Sequence, residues 1–198
     1  MGTALEFTGD DAQDDELLRF LLAVGVIAGD LSASEIARFA SVHPSTAQRG
    51  VEIAIDKGFL GSDGVIADDV ADELVGDLTT RQVAELHADV ARHLFTIGPE
   101  RVADAVRHAR AAGSSFPPGE LIVQARKVGF LCLSLNDWEG AEHLFRLAIE
   151  LSPLVDQSQN TLQLRFLAVA LNAMGRLTDA RDVLLQAGEI AIVKGDWR

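Results

Sequence analysis

The sequence predicts a mainly α protein. A winged helix-turn-helix with a small β-hairpin comes first, and an array of α-helical hairpins follows. Three observations carry this. Apolar residues recur at helical spacing through most of the chain. A short stretch around one Asp-Gly pair reads as a hairpin instead. From Ala125 onward, small and large residues repeat in a register suited to stacked helix pairs.

The elements follow in order. Residues 1–13 are acidic and lack a period, so they read as a loose tail. Residues 14–78 form the expected winged-helix domain. Asp14 to Ala28 places Leu17, Leu18, Leu21, Leu22 and Val24 to Ala28 on an apolar face, and Gly29 stops the helix. Ser32 to Glu35 is a capping box, in which the Ser oxygen and the Glu carboxylate satisfy each other's orphan amides. A short helix with Ile36, Ala37 and Ala40 inward follows, then a tight turn at Ser41-Val42. His43-Pro44 opens a third helix, since Pro at the first helical position loses no hydrogen bond. Val51, Ile53, Ala54 and Ile55 supply its apolar positions, and Gly58 ends it. Phe59-Leu60 and Val65-Ile66 flank Gly61-Ser62-Asp63-Gly64, which is the expected wing.

The shape suggests DNA, and the charge argues against it. Residues 1–80 hold 16 acidic and 4 basic side chains, a balance of −12 within a total of −13. Arg49 and Lys57 on the would-be recognition helix are offset by Glu52 and Asp56. Phosphate neutralisation by Lys and Arg supplies nearly all non-specific affinity for DNA. Ser45, Thr46, Gln48 and Arg49 are chemically able to contact bases, but they fit an ordinary solvated helix face better.

Beyond the wing the chain is helix upon helix. Thr79 to Gln82 is a second capping box, and it opens a helix through Val83, Leu86, Val90 and Leu94. Gly98-Pro99 breaks that helix, and the next runs to about Ala112, so residues 79–113 make a connecting helical hairpin. Residues 114–119 read as a linker. Residues 120–198 read as tetratricopeptide-like repeats. Gly129, Cys132, Ala141, Phe145, Ala148 and Pro153 set the register, and Leu164, Ala168, Leu171, Ala180, Leu184 and Ala187 repeat it. Ala141 to Ala180 spans 39 residues, about five more than the usual period of about 34, which places extra residues near 154–160. Each pair has an apolar face that only a stacked neighbour can bury. Ile190 to Val193 is apolar, so the array is expected to be truncated, with further repeats beyond Arg198 or a second copy covering the face.

Composition narrows the function classes. One Cys excludes an intrachain disulfide and fits a reducing, cytoplasmic setting. Neither a signal peptide nor an apolar run of spanning length is present. No metal or catalytic constellation emerges. His87 and His93 fall on different helix faces, while His93, His108 and His143 each have a carboxylate at i−4 and read as surface pairs. Cys132 and Trp138 occupy packing positions. There is no phosphate-binding Gly-rich loop, so the segment carries no cofactor of its own. Partner binding is expected on the concave face of the array, where Gln124, Lys127 and Val128, then Gln163, Arg165 and Phe166, are the candidates. Arg126, Lys127 and Arg165 would suit an acidic or peptide partner.

The order of these parts carries a resemblance. His87 to Leu94, Pro99 to Ala103, and His108 with Ala111, Ala112 and Gly113 follow phrases of the large ATP-binding LuxR-type transcriptional regulators. These belong to the signal-transduction ATPases with numerous domains. From about Asp14 onward the chain resembles the winged-helix and repeat segment of that family. The resemblance implies a regulatory and sensor fragment beside a neighbouring ATPase domain, with a protein partner or small-molecule inducer on the repeats, and no catalysis of its own. Two other classes stay open: a stand-alone winged-helix transcription factor with a helical effector domain, and a tetratricopeptide-like interaction scaffold.

Overall fold

The computed structural model describes residues 78–154 and 160–194, together with Val26, Gln48, Gly50, Glu52, Ile55, Val75 and Gly76. The chain divides into two compact units, Met1–Val90 and Ala91–Arg198. The border falls inside a helix, upstream of the expected linker at 114–119.

In the first unit, Gln48, Gly50, Glu52 and Ile55 are helical, where the third helix was expected. Ile55 is 44% exposed, so its place in the apolar series does not bury it. The Ser32–Glu35 cap and the Asp-Gly wing lie outside the described residues.

Six α-helices account for most of the described residues. Helix α1 (Thr80–Ile97) begins at the expected capping box. The Thr79 hydroxyl oxygen accepts the Gln82 N–H at 3.2 Å, and the Gln82 Oε1 accepts the Thr79 N–H at 2.9 Å. Leu86, Val90 and Leu94 are buried along one stripe of this helix. Pro99 starts a 3-10 turn (Pro99–Arg101) that runs into α2 (Val102–Ala111).

The segment between α2 and α3 is folded within the second unit. Gly113–Ser115 is a 3-10 turn, and Phe116 is only 3% exposed. Its ring lies 6.1 Å from that of Phe95. Arg92 fastens the same corner. Its Nε and Nη2 donate to the two carboxylate oxygens of Glu120 at 2.7 and 3.0 Å, and Nη2 also donates to the Ser115 carbonyl at 3.1 Å. Its guanidinium carbon stands 5.4 Å from the Phe116 ring centre. Bidentate arginine–carboxylate geometry is the strong form of a surface ion pair.

Helix α3 (Pro118–Ser134) has Pro at its start and Glu120 in its first turn. It pairs with α4 (Trp138–Leu151), and α5 (Asn160–Ala173) pairs with α6 (Leu177–Lys194). In sequence order, each of these four helices packs on the next.

The two turns inside these pairs are built alike. After α3 the Asp137 N–H reaches back to the Cys132 carbonyl at 2.9 Å, around Asn136 at φ 60°. After α5 the Arg176 N–H reaches the Leu171 carbonyl at 2.9 Å, around Gly175 at φ 76°. Both are helix ends closed through a left-handed residue, the geometry that Gly tolerates best and Asn next. Asn136 and Gly175 are 39 residues apart, the spacing read from Ala141 and Ala180.

Packing within the first pair follows the expected register. Cys132, Ala141, Phe145 and Ala148 are fully buried, and Gly129 is buried beside them. A Cβ on Gly129 would come within 3.2 Å of the Phe145 ring, so glycine lets α3 approach α4. Phe130, Phe145 and Phe166 join α3, α4 and α5. Phe130 meets Phe166 edge-on at 4.5 Å, and Phe145 stacks with Phe166 at 5.8 Å. In the second pair Leu164, Ala168, Leu171, Ala180 and Ala187 are buried, but Leu184 is 50% exposed. Its expected core role is therefore corrected, because among the described residues no helix covers that side of α5 and α6.

Candidate functional site

Helices α5 and α6 leave an open, largely apolar groove of about 530 Å³ between them. Arg165 and Val169 line it from α5, and Leu177, Arg181, Leu184 and Leu185 line it from α6. The sequence explains the groove locally. Val169, Leu177, Leu184 and Leu185 sit at helical spacings that give α5 and α6 a second apolar stripe, away from the one packed inward. These four side chains are between 50% and 64% exposed. A contiguous apolar surface with charged edges marks an interaction site more often than a stray leucine does.

The predicted site residues distribute unevenly. Arg165 is exposed and forms part of the groove. Lys127 is exposed and Gln124 half-buried on α3, and neither lines the groove. Gln163 is 1% exposed, which corrects its expected place on a binding face. It lies in the interior with both polar atoms of its amide lacking hydrogen-bond partners. Val128 is likewise buried, and Phe166 is held in the aromatic cluster. Of the alternative DNA-contacting set, Gln48 is exposed on a helix and its amide donates to Glu52 at 3.4 Å. Ser45, Thr46 and Arg49 lie outside the described residues.

Sequence reasoning missed three features. Leu177, Leu184 and Leu185 line the groove, although the periodicity marked Leu184 as core. Arg181 escaped notice because a single exposed arginine carries no pattern. The third is a charge network between the two pairs. Glu142 accepts from Arg146 on its own helix and from Arg176 in the α5–α6 turn, the latter at 2.6 Å. Arg176 also pairs with Asp179 at 2.6 Å. Burial pushes the Glu142 carboxyl up, but hydrogen bonds and charges from Arg146 and Arg176 outweigh it and hold the group below its ordinary value.

Cys132 and His108 are both buried. Burial pushes the Cys132 thiol up to about 12, and neighbouring Asp137 adds to the effect. A thiol so far above neutrality is not a nucleophile. His108 is fully buried on α2, which corrects its expected place on the surface. Asp104 pairs with Arg101 at 3.3 Å and Arg107 at 3.2 Å. Its carboxyl is held below the usual range, with the Arg107 hydrogen bond as the largest cause. Among the described residues no group of three or more His, Cys, Asp or Glu could hold a metal ion. Among them, too, no helix is long and apolar enough to cross a membrane.

The architecture defines a class first: a mainly helical protein in which two similar helix pairs stack and the outer one keeps an apolar groove. Comparison of the chain with protein-family models, with curated proteins and with solved structures finds no match.

Proposed function

We propose that the chain is a regulatory and sensor segment of a bacterial signal-transduction ATPase-type transcriptional regulator. In this reading residues 14–78 form a winged helix that packs on a neighbouring ATPase domain. Residues 120–198 are tetratricopeptide-like repeats of an α-solenoid that receives a protein or an inducer in the cytoplasm. The contribution is binding and relay, not catalysis. Occupancy of the repeats would bias a closed-to-open equilibrium by its differential affinity for the two states.

The observation that carries the reading is the 39-residue recurrence of a whole hairpin, turn geometry included, that ends in an uncovered apolar groove. Stacked repeats use such surfaces for recognition. The −12 balance of residues 1–80 supports a packing role for the winged helix over a groove-reading one.

Fluorescence anisotropy of the full chain against a labelled random-sequence duplex at low salt tests the division of labour. The expected result is no saturable binding. Binding that saturates and weakens steeply with salt would return the chain to the class of winged-helix transcription factors. Alongside it, a thermal-shift screen of small metabolites and peptides should give hits that are lost in Leu184→Asp. Hits confined to residues 1–80 would overturn the assignment of sensing to the repeats.

A further inference from the structure

The 39-residue register assigns each residue of α3 a counterpart in α5, so the two helices can be compared position by position. Ala125, Val128 and Cys132 correspond to Leu164, Leu167 and Leu171, and all six are buried. The first turns break this agreement. Leu121, which is buried, corresponds to Asn160, and half-buried Gln124 corresponds to Gln163. Asn160 is 8% exposed and Gln163 1%. Among the described residues, Asn160 Oδ1 and both amide atoms of Gln163 find no hydrogen-bond partner. Each has lost its contact with water without a replacement, so each opposes the burial of its own segment.

The two halves of α5 are therefore unequal. Leu167, Ala168, Ala170 and Leu171 in its C-terminal half are buried, and the turn beyond them is tied to α4 through Arg176 and Glu142 at 2.6 Å. Residues 160–166 hold the two enclosed amides. Their apolar anchors are Leu164, which is buried, and Phe166, whose ring meets Phe130 at 4.5 Å and Phe145 at 5.8 Å. Helix propensity runs the same way, since residues 167–173 include three Ala and residues 160–166 none.

We propose that residues 160–166 are a conformational switch at the junction of the two pairs. The first turns of α5 unwind while the rest of the helix stays folded and pinned at Arg176. Unwinding returns Asn160 and Gln163 to water and withdraws Phe166 from Phe130 and Phe145. The enclosed amides keep the free energy of this opening below that of global unfolding, as in other segments that open locally. One face of the Phe145 ring, stacked on Phe166 in the closed state, is uncovered in the open one. The inference rests on the reading of α3–α6 as an array that relays occupancy, and it names the element that moves. Any ligand that prefers one state shifts the balance by its differential affinity.

Native-state hydrogen exchange on the full chain, read residue by residue by NMR, tests the switch. The amides of residues 164–166 are the probes, because those of the first turn have no partner within the helix. At low urea they should exchange on the order of tenfold faster than the amides of residues 168–171. Their exchange should also depend less on urea, since a partial opening exposes little surface. Gln163→Leu should slow them about fivefold, and Gln124→Leu should leave them within about twofold. Exchange of the two groups in step at every urea concentration overturns the proposal, and that result needs no substituted chain. Unchanged or faster exchange in Gln163→Leu also overturns it, because the amide would then be satisfied in the closed state. Equal slowing by Gln124→Leu does so too, since the effect would not belong to the junction. The sensor reading fails by its own test, ligands confined to residues 1–80, which leaves this exchange pattern untouched.

Discussion

The pairs α3–α4 and α5–α6 share a turn geometry, a register and a set of small inward residues, yet equivalent positions have different surroundings. Phe145 is fully buried, while its counterpart Leu184 is half-exposed. Gln124 is half-buried, while its counterpart Gln163 is 1% exposed. A residue's position in the repeat decides which face of the helix it occupies. Whether that face is core depends on the neighbour stacked against it. Burial in such an array is a property of the junction between repeats more than of the repeat.

The largest test of this comparison sets Phe145→Ala against Leu184→Ala. Removing a fully buried aromatic ring from the three-phenylalanine cluster should cost about 3–5 kcal/mol. The Leu184 change should stay within about 0.5 kcal/mol, as surface substitutions do. Urea unfolding of the two variants measures both, and equal losses would erase the distinction between the pairs.

The turns come next. Gly175→Ala places a Cβ on a residue at φ 76° and should cost about 1 kcal/mol. Asn136→Gly should be neutral or stabilise by a few tenths of a kcal/mol, because Asn136 already bears that strain at φ 60°. Opposite signs in thermal melts would confirm that the two turns are one device with different occupants.

Gln163 offers a change of similar size in the other direction. Its buried amide lacks partners for Nε2 and Oε1, so Gln163→Leu should stabilise the chain by roughly 1 kcal/mol. Its counterpart Gln124 is half-buried, and Gln124→Leu should have little effect. A loss of stability in Gln163→Leu would show that the amide is satisfied in solution.

The smallest effect concerns Glu142, which ties the pairs together electrostatically. Because its folded pKa is depressed, its contribution is fully present above the unfolded carboxylate value. That contribution is lost as pH falls through the lower, folded value. Glu142→Gln should therefore cost under about 1 kcal/mol near neutrality and nothing once both states are protonated. A melting-temperature difference between variant and parent that persists at low pH would show that shape, not charge, joins the pairs.

Much of the helical order was legible in local sequence. The Thr79–Gln82 cap, the Gly98-Pro99 break and the Ala141–Ala180 spacing all follow from chemistry within a turn or a hairpin. The candidate site was legible only in part. Arg165 could be named because it combines charge with helix position. The Arg92–Glu120 clamp, the Phe130–Phe145–Phe166 cluster and the Arg181 edge join residues distant in sequence, where periodicity carries no information. Gln163 and Leu184 were misplaced for one reason: the pattern marks a stripe and does not say what lies across from it.

Trp138 has a consequence of a different kind. It opens α4 at a half-buried position, and the chain contains one other tryptophan, Trp197, and no tyrosine. A Trp197→Phe variant would leave Trp138 as the sole strong emitter, free of tyrosine background. The protein thus contains a native optical reporter at the start of its inner repeat. Stopped-flow fluorescence could time events at that junction without any attached dye.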